Sequence, residues 1–154
     1  MDRIVAMNSN SYHGFSIEEA IEGTARAGFR YMELTATKGW TEHVFPDQPL
    51  RRLLRVRDML RDHDLTPFAM SGHTNLTDPA RSRDFRDNIR MAQLFGCRYI
   101  VSSIGEAHIR DGHEADLDET VRCIEAFVPE LKAADMMLVL ETHGKDHGTG
   151  VRLA

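Results

Sequence analysis

Residues 78–102 have the sequence DPARSRDFRDNIRMAQLFGCRYIVS, and this stretch indicates the class of fold most clearly. The pair Asp78–Pro79 predicts the start of a helix, because proline suits the first turn of a helix. We expect this helix to end at Phe95, since the glycine that follows favours a helix C-terminus. The run Arg98–Ser102 comes next and is typical of a buried strand. Helix, glycine and strand therefore form one unit.

The same unit recurs along the chain. Residues Ser16–Glu19 form a capping box, in which the serine and the glutamate three residues later each satisfy a free amide at a helix start. That helix is expected to stop at Gly28. Strands that alternate with helices at this spacing predict parallel βα units. The predicted strands are Ile4–Ser9, Tyr31–Thr35, Thr66–Ser71, Arg98–Ser102 and Met136–Glu141. The predicted helices are Ser16–Ala27, Leu50–His63, Asp78–Phe95 and Leu117–Ala134, the last with an irregularity at Pro129.

The pattern predicts one domain, residues 1–154, with a parallel (β/α)8 TIM-barrel fold truncated to about five βα units. A barrel of roughly 250 residues uses about 31 residues per unit, so this length holds about five units. A flavodoxin-like doubly wound sheet also suits the length and is the alternative. That alternative lacks a visible site, because the first strand ends in Asn8 and Ser9 without an acidic pair or a glycine-rich phosphate loop.

The composition narrows the class of protein. Hydrophobic residues make up 42% of the chain and charged residues 28%, which is typical of a globular protein. The net charge of -5 argues against a nucleic-acid surface. The apolar runs are too short to span a membrane, and the N-terminus lacks the pattern of a signal peptide. Cys97 and Cys123 belong to no CxxC pair, so we expect reduced packing residues in a cytoplasmic protein.

Histidines concentrate in the loops that follow the predicted strands. In parallel βα folds these loops build the active site. Histidine also favours loops simply because it is polar, but the helix surfaces carry almost none here. Only His63 lies elsewhere. The seven loop histidines are His13, His43, His73, His108, His113, His143 and His147.

Glu141 is the strongest single candidate for a functional residue. It ends the most apolar strand, where a carboxylate is costly unless it is paired or bound to a metal. Glu33 also ends a predicted strand and either points into the barrel mouth or has a structural role. His73 follows Gly72, which lets the backbone approach a ligand, although a loop histidine is often merely solvated. Trp40 either supports a sugar ring or packs its long loop.

Several segments resemble the xylose isomerase-like sugar phosphate isomerases and epimerases. The segments are Gly28–Leu34, Leu65–His73, Ala92–Val101 and Met137–Gly144, and they cover nearly the whole chain in the right order. The resemblance implies a TIM barrel that binds a divalent metal, Mn²⁺ foremost, with Mg²⁺, Co²⁺ or Zn²⁺ as alternatives. It also implies that Glu141 is both a metal ligand and the catalytic base.

The resemblance implies a sugar isomerase or epimerase that moves a proton next to a carbonyl. Its substrate would be a small sugar or sugar phosphate. The candidate substrate-binding residues are His73, Glu33, Trp40, His143 and His147. The family's remaining ligands lie on strands six to eight, beyond the five units predicted here. We therefore expect this chain to be inactive alone and to form a homo-oligomer through its open sheet edges.

Three other functions stay open. The first is a non-catalytic truncated barrel that binds a partner through the edge of its last strand. The second is a metal-dependent dehydratase or lyase on the same barrel. The third is an apurinic endonuclease, a branch of the superfamily that uses a histidine on the fourth strand. The segment Val101–Ile104 has no histidine, which weighs against that branch.

Overall fold

The computed structural model describes residues 3–105 and 116–142. Within them, five parallel strands form a sheet in the order β1-β2-β4-β5-β6, and the short β3 pairs antiparallel with β2. The strands are β1 (Ala6–Asn8), β2 (Tyr31–Thr37), β3 (Thr41–Glu42), β4 (Thr66–Ser71), β5 (Tyr99–Ser102) and β6 (Met137–Leu140). The helices are α1 (Ile17–Arg26), α2 (Leu50–Asp62), α3 (Ser82–Phe95), α4 (Leu117–Glu125) and α5 (Val128–Ala133).

The strand order distinguishes the two predicted folds. Each parallel strand lies beside the next one along the chain, so the order never reverses. A doubly wound sheet reverses its strand order at a switch point, whereas a barrel adds its strands in sequence. The chain therefore has a TIM-barrel type of sheet, and the flavodoxin-like alternative is wrong.

The helix boundaries follow the capping signals in the sequence. Ser16 and Glu19 form the predicted capping box at the start of α1. Gly96 ends α3 with a φ of 72°, a left-handed conformation that glycine adopts without strain. No helix in residues 3–105 or 116–142 combines the length and the apolar character needed to cross a membrane. The cytoplasmic location stays a prediction.

Some predicted boundaries are wrong. The helix expected over Leu117–Ala134 is divided into α4 and α5, because Pro129 lacks the amide that a continuous helix would need and lies instead in the first turn of α5. A short 3₁₀ helix, Pro79–Arg81, precedes α3. The strand β2 continues to Thr37, so that Glu33 lies within the strand and not at its end.

Alternating residues of β2 face two different environments. Met32, Leu34 and Ala36 are fully buried in the hydrophobic core that the helices cover. The residues between them point to the opposite face of the sheet, since side chains alternate along a strand. That opposite face corresponds to the inside of a barrel. Glu33 therefore lies on the barrel side of the sheet.

The last strand is less buried than its sequence predicts. Leu138 and Leu140 pack against the core, but Met137 is 55% exposed and Val139 is 39% exposed. In the described part of the chain, β6 is the final strand of the sheet, and only β5 pairs with it. The apolar sequence of β6 is typical of a strand buried on both faces, but nothing in the described residues covers its barrel side.

Candidate active site

The candidate site lies at the C-terminal edge of the parallel sheet. Glu141 follows β6 directly, and its backbone amide donates to the carbonyl of Ser102 at the end of β5. His73 lies two residues beyond β4, and Trp40 lies in the turn after β2. The C-terminal ends of parallel strands gather on one face of the fold, which is where barrel active sites form.

His73 and Glu141 are in direct contact. The Nε2 atom of His73 lies 3.1 Å from Oε2 of Glu141. The histidine side chain is only 5% exposed, whereas the glutamate side chain is 48% exposed. The sequence places both residues at or just after the ends of predicted strands, where the active site of a parallel βα fold forms, and the structure brings their side chains together. The buried histidine lies behind the carboxylate, and the carboxylate is open to the solvent.

A third residue, Ser103, contacts His73 from the segment just after β5. The amide of Ser103 donates to Nδ1 of His73 at 3.1 Å. Sequence reasoning did not identify Ser103, because its position beside His73 follows from the sheet register and not from its residue type. Ser71 pairs with Val101 near the ends of β4 and β5, and the segments that follow stay side by side, so that His73 reaches the amide of Ser103. The backbone thus brings His73 and Ser103 side by side.

Glu33 has an unusual electrostatic environment. Burial raises the pKa of its carboxyl group, and the negative charge of Glu141 raises this pKa further. The pKa of the Cys97 thiol is raised to about 12, mainly by burial and also by Glu33. Glu33 therefore keeps its proton to a higher pH than an exposed glutamate does, and a protonated carboxyl group can donate a hydrogen bond.

The raised pKa of Glu33 predicts how the stability of the fold depends on pH. Because burial disfavours the charged form in the folded state, stability is lost as the pH rises from the ordinary value of 4.5 through the folded-state pKa. We expect Glu33→Gln to melt at a higher temperature than the wild type at pH 8 and at nearly the same temperature at pH 4. Thermal melts across this range measure the difference. An equal gap at both pH values would contradict the assignment.

Trp40 stacks on another loop residue. Its ring lies 4.3 Å from the ring of His13, with an angle of 13° between the planes. Asn10 and Thr41 link the two rings. The Oδ1 atom of Asn10 accepts from Nε1 of Trp40 at 3.1 Å and from the hydroxyl of Thr41 at 2.7 Å, and the same hydroxyl lies 2.6 Å from Nδ1 of His13. Trp40 is 44% exposed, so part of its ring surface is available for contact. The predicted sugar contact of Trp40 stays a prediction.

Four of the loop histidines cannot be placed relative to the site. His108, His113, His143 and His147 lie outside the described residues. The predicted roles of His143 and His147 in substrate binding therefore stay predictions. Of the described loop histidines, His43 is buried and its Nε2 lies 3.1 Å from the carbonyl oxygen of Phe15, so it supports the first loop.

The carboxylates of the site suit a divalent cation only in part. Glu141 and Glu33 are close enough to repel each other, and carboxylate oxygens are the donors that Mg²⁺ and Mn²⁺ prefer. A cation near both groups would relieve this repulsion. However, residues 3–105 and 116–142 contain no cluster of three His, Cys, Asp or Glu side chains that could hold a metal. The donor set fits the cation chemically, and two carboxylates alone would bind it weakly.

Solved structures with the same fold include several sugar epimerases. A D-psicose 3-epimerase crystallised in the presence of D-fructose matches with a TM-score of 0.69 and 16% identity, over 92% of this chain and 54% of its own. A D-allulose 3-epimerase from Methylomonas sp. matches with a TM-score of 0.69 and 19% identity, over 92% and 52%. An L-ribulose 3-epimerase matches with a TM-score of 0.64 and 17% identity, over 92% and 50%.

At these identities the likeness shows the fold, and the chain spans about half the length of each of these proteins. A comparison with curated proteins found no match. A family model described as a xylose isomerase-like TIM barrel matches residues 21–154. The sequential parallel sheet agrees with that description. The chain therefore belongs to the xylose isomerase-like TIM barrel family.

Proposed function

We propose that this chain forms part of a divalent-metal-dependent sugar isomerase or epimerase, with Glu141 as its catalytic base. The main support for this proposal is the position of Glu141. Its half-exposed carboxylate lies at the C-terminal edge of the sheet, and the buried His73 contacts this carboxylate at 3.1 Å. The epimerase structures that share the fold support the same class of reaction. The substrate class is a small ketose or its phosphate.

In the proposed reaction Glu141 removes a proton from the carbon next to the sugar's carbonyl. The C–H bond breaks, its electron pair moves toward the carbonyl carbon, and the carbonyl oxygen gains negative charge. Glu141 now carries this proton. Delivery of a proton to the same carbon from the other face, by an acid outside the described residues, gives an epimer. Transfer of the Glu141 proton to the former carbonyl carbon, while the hydroxyl proton of the first carbon moves to the former carbonyl oxygen, gives an isomer. General base catalysis of this kind contributes roughly 10²–10⁴-fold to the rate.

Glu33 is the second participant. Its carboxyl group is within electrostatic reach of Glu141, so it can form a hydrogen bond with a sugar hydroxyl. Trp40 supplies an exposed ring surface that suits the apolar face of a sugar.

A divalent metal would be held by Glu141, with Glu33 nearby and with His143 or His147 as further candidate ligands. When bound, it would polarise the sugar's carbonyl and stabilise the negative charge that develops there. Mn²⁺ is the metal we propose first, with Mg²⁺, Co²⁺ and Zn²⁺ as alternatives. The remaining ligands would come from polypeptide that the described residues do not include.

Ketose binding tests this function. We expect calorimetry to detect binding of D-fructose only in the presence of Mn²⁺, and we expect Glu141→Gln to weaken that binding at least about tenfold, because the variant loses the charge that holds the metal. Glu22→Gln is the matched control, since Glu22 is an exposed residue of α1. Fructose binding that needs neither Mn²⁺ nor Glu141 would contradict the proposal. We expect negligible turnover, since the chain spans about half of the related epimerases.

We further propose that two or more copies associate through the edges of their sheets. In the described residues, β1 pairs only with β2 and β6 pairs only with β5. Neither edge strand carries a charge or a proline to deter pairing. Exposed Arg3 precedes β1 and exposed Asp135 precedes β6. Parallel pairing of β6 with β1 of a second copy would bring these opposite charges to the same end of the sheet.

A further inference from the structure

His73 connects the ends of three neighbouring strands. It follows β4, its Nδ1 accepts a hydrogen bond from the amide that follows β5, and its Nε2 contacts the carboxylate that follows β6. At 5% exposure it has almost no surface for a sugar. Its contacts therefore point to an action on Glu141.

The hydrogen bonds determine which nitrogen of His73 carries the proton. The amide of Ser103 can only donate, so Nδ1 must offer its lone pair. The hydroxyl of Ser103 is 3.4 Å from the same nitrogen, but it donates to the carbonyl of Gly105. The neutral imidazole then carries its proton on Nε2, which donates to Oε2 of Glu141 at 3.1 Å.

This arrangement leaves His73 without a lone pair for a metal, because Nδ1 accepts a hydrogen bond and Nε2 is protonated. The backbone amide of Ser103 lies immediately after β5, at the C-terminal edge of the sheet. Thr74 and Ser102 tie the same loop to β5, since the amide of Thr74 donates to the Ser102 hydroxyl at 3.2 Å. The backbone amide just after β5 thus sets the orientation of the His73 imidazole.

We propose that His73 is a positioning residue whose tautomer is fixed by the Ser103 amide and whose Nε2–H group holds Glu141 in one rotamer. This inference rests on the proposed function for its purpose, but its geometry is independent of metal and sugar. Partners that orient a metal-binding or catalytic carboxylate typically change affinity or activity by about 10–100-fold when they are removed.

Nuclear magnetic resonance of the whole chain tests the inference. We expect the imidazole nitrogens of His73 to show an unprotonated Nδ1 and a protonated Nε2 whose hydrogen exchanges slowly. We expect the couplings between Hα and Hβ of Glu141 to show a single rotamer. An imidazole protonated on Nδ1, or an averaged Glu141 rotamer in the wild type, would overturn the inference.

Two variants separate positioning from mere packing. His73→Gln keeps an N–H donor near the place of Nε2, whereas His73→Leu keeps a similar volume without a donor. We expect the single Glu141 rotamer to survive in His73→Gln and to be averaged in His73→Leu, with Mn²⁺ affinity about tenfold lower only in His73→Leu. Equal behaviour of the two variants would overturn the inference. If the wild type binds no Mn²⁺, the proposed function fails, and the rotamer measurement still decides the positioning role.

Discussion

Glu141→Ala is expected to reduce Mn²⁺ binding below detection in a calorimetric titration. Glu141 is the most exposed carboxylate of the site and the one that His73 orients, so it is the best placed oxygen donor for an ion that enters from the solvent. The described residues offer few other donors, and an incomplete set of ligands gives weak binding that depends strongly on each member. The wild type should therefore bind weakly, and the variant should not bind.

The control for this titration is Glu22→Ala, which removes an exposed carboxylate of α1 and leaves the site intact. It should bind Mn²⁺ as the wild type does. Thermal melts of both variants show whether either substitution unfolds the chain. Equal titrations for the wild type and Glu141→Ala would show that the metal binds elsewhere, and the assignment of Glu141 as a ligand would then be wrong.

The second prediction concerns the association of several copies of this chain. We expect light scattering to give a mass of at least twice the 17.5 kDa of the monomer for the wild type. We expect Val139→Lys to shift the protein to the monomer, because Val139 is 39% exposed on the edge strand β6 and a lysine there deters strand pairing. If a two-fold axis makes the contact reciprocal, the product is a closed dimer, and otherwise larger assemblies grow.

Val121→Lys is the matched control for assembly. Val121 is 46% exposed on α4 and not on an edge strand, and the substitution changes the charge by the same amount. It should leave the mass unchanged. A wild type that is monomeric at all concentrations would contradict edge pairing, and so would dissociation of the assembly by both variants.

The fold was largely predictable because local signals agree with one another. Ser16 and Glu19 define the start of α1, and Gly96 defines the end of α3. What the local pattern could not supply was the order of strands, since a barrel and a doubly wound sheet use the same unit. Burial of β6 was overestimated for a related reason. Apolar residues such as Met137 predict burial only if another element covers them.

The site was predictable to the level of which residues meet. The ends of parallel strands converge, so His73 and Glu141 could be placed together from the sequence alone, and the structure confirms it. The role of Ser103 could not be predicted, because it acts through its backbone amide and its residue type carries no signal. The stack of Trp40 on His13 also depends on loop conformations that periodicity does not reveal.

Anomalous scattering from crystals of this chain grown with Mn²⁺ tests most directly whether Glu141 is a metal ligand. We expect a manganese peak within bonding distance of a carboxylate oxygen of Glu141, with His73 behind that carboxylate and outside the metal's ligands. A manganese ion bound only away from Glu141, or bound by the imidazole of His73, would contradict this expectation.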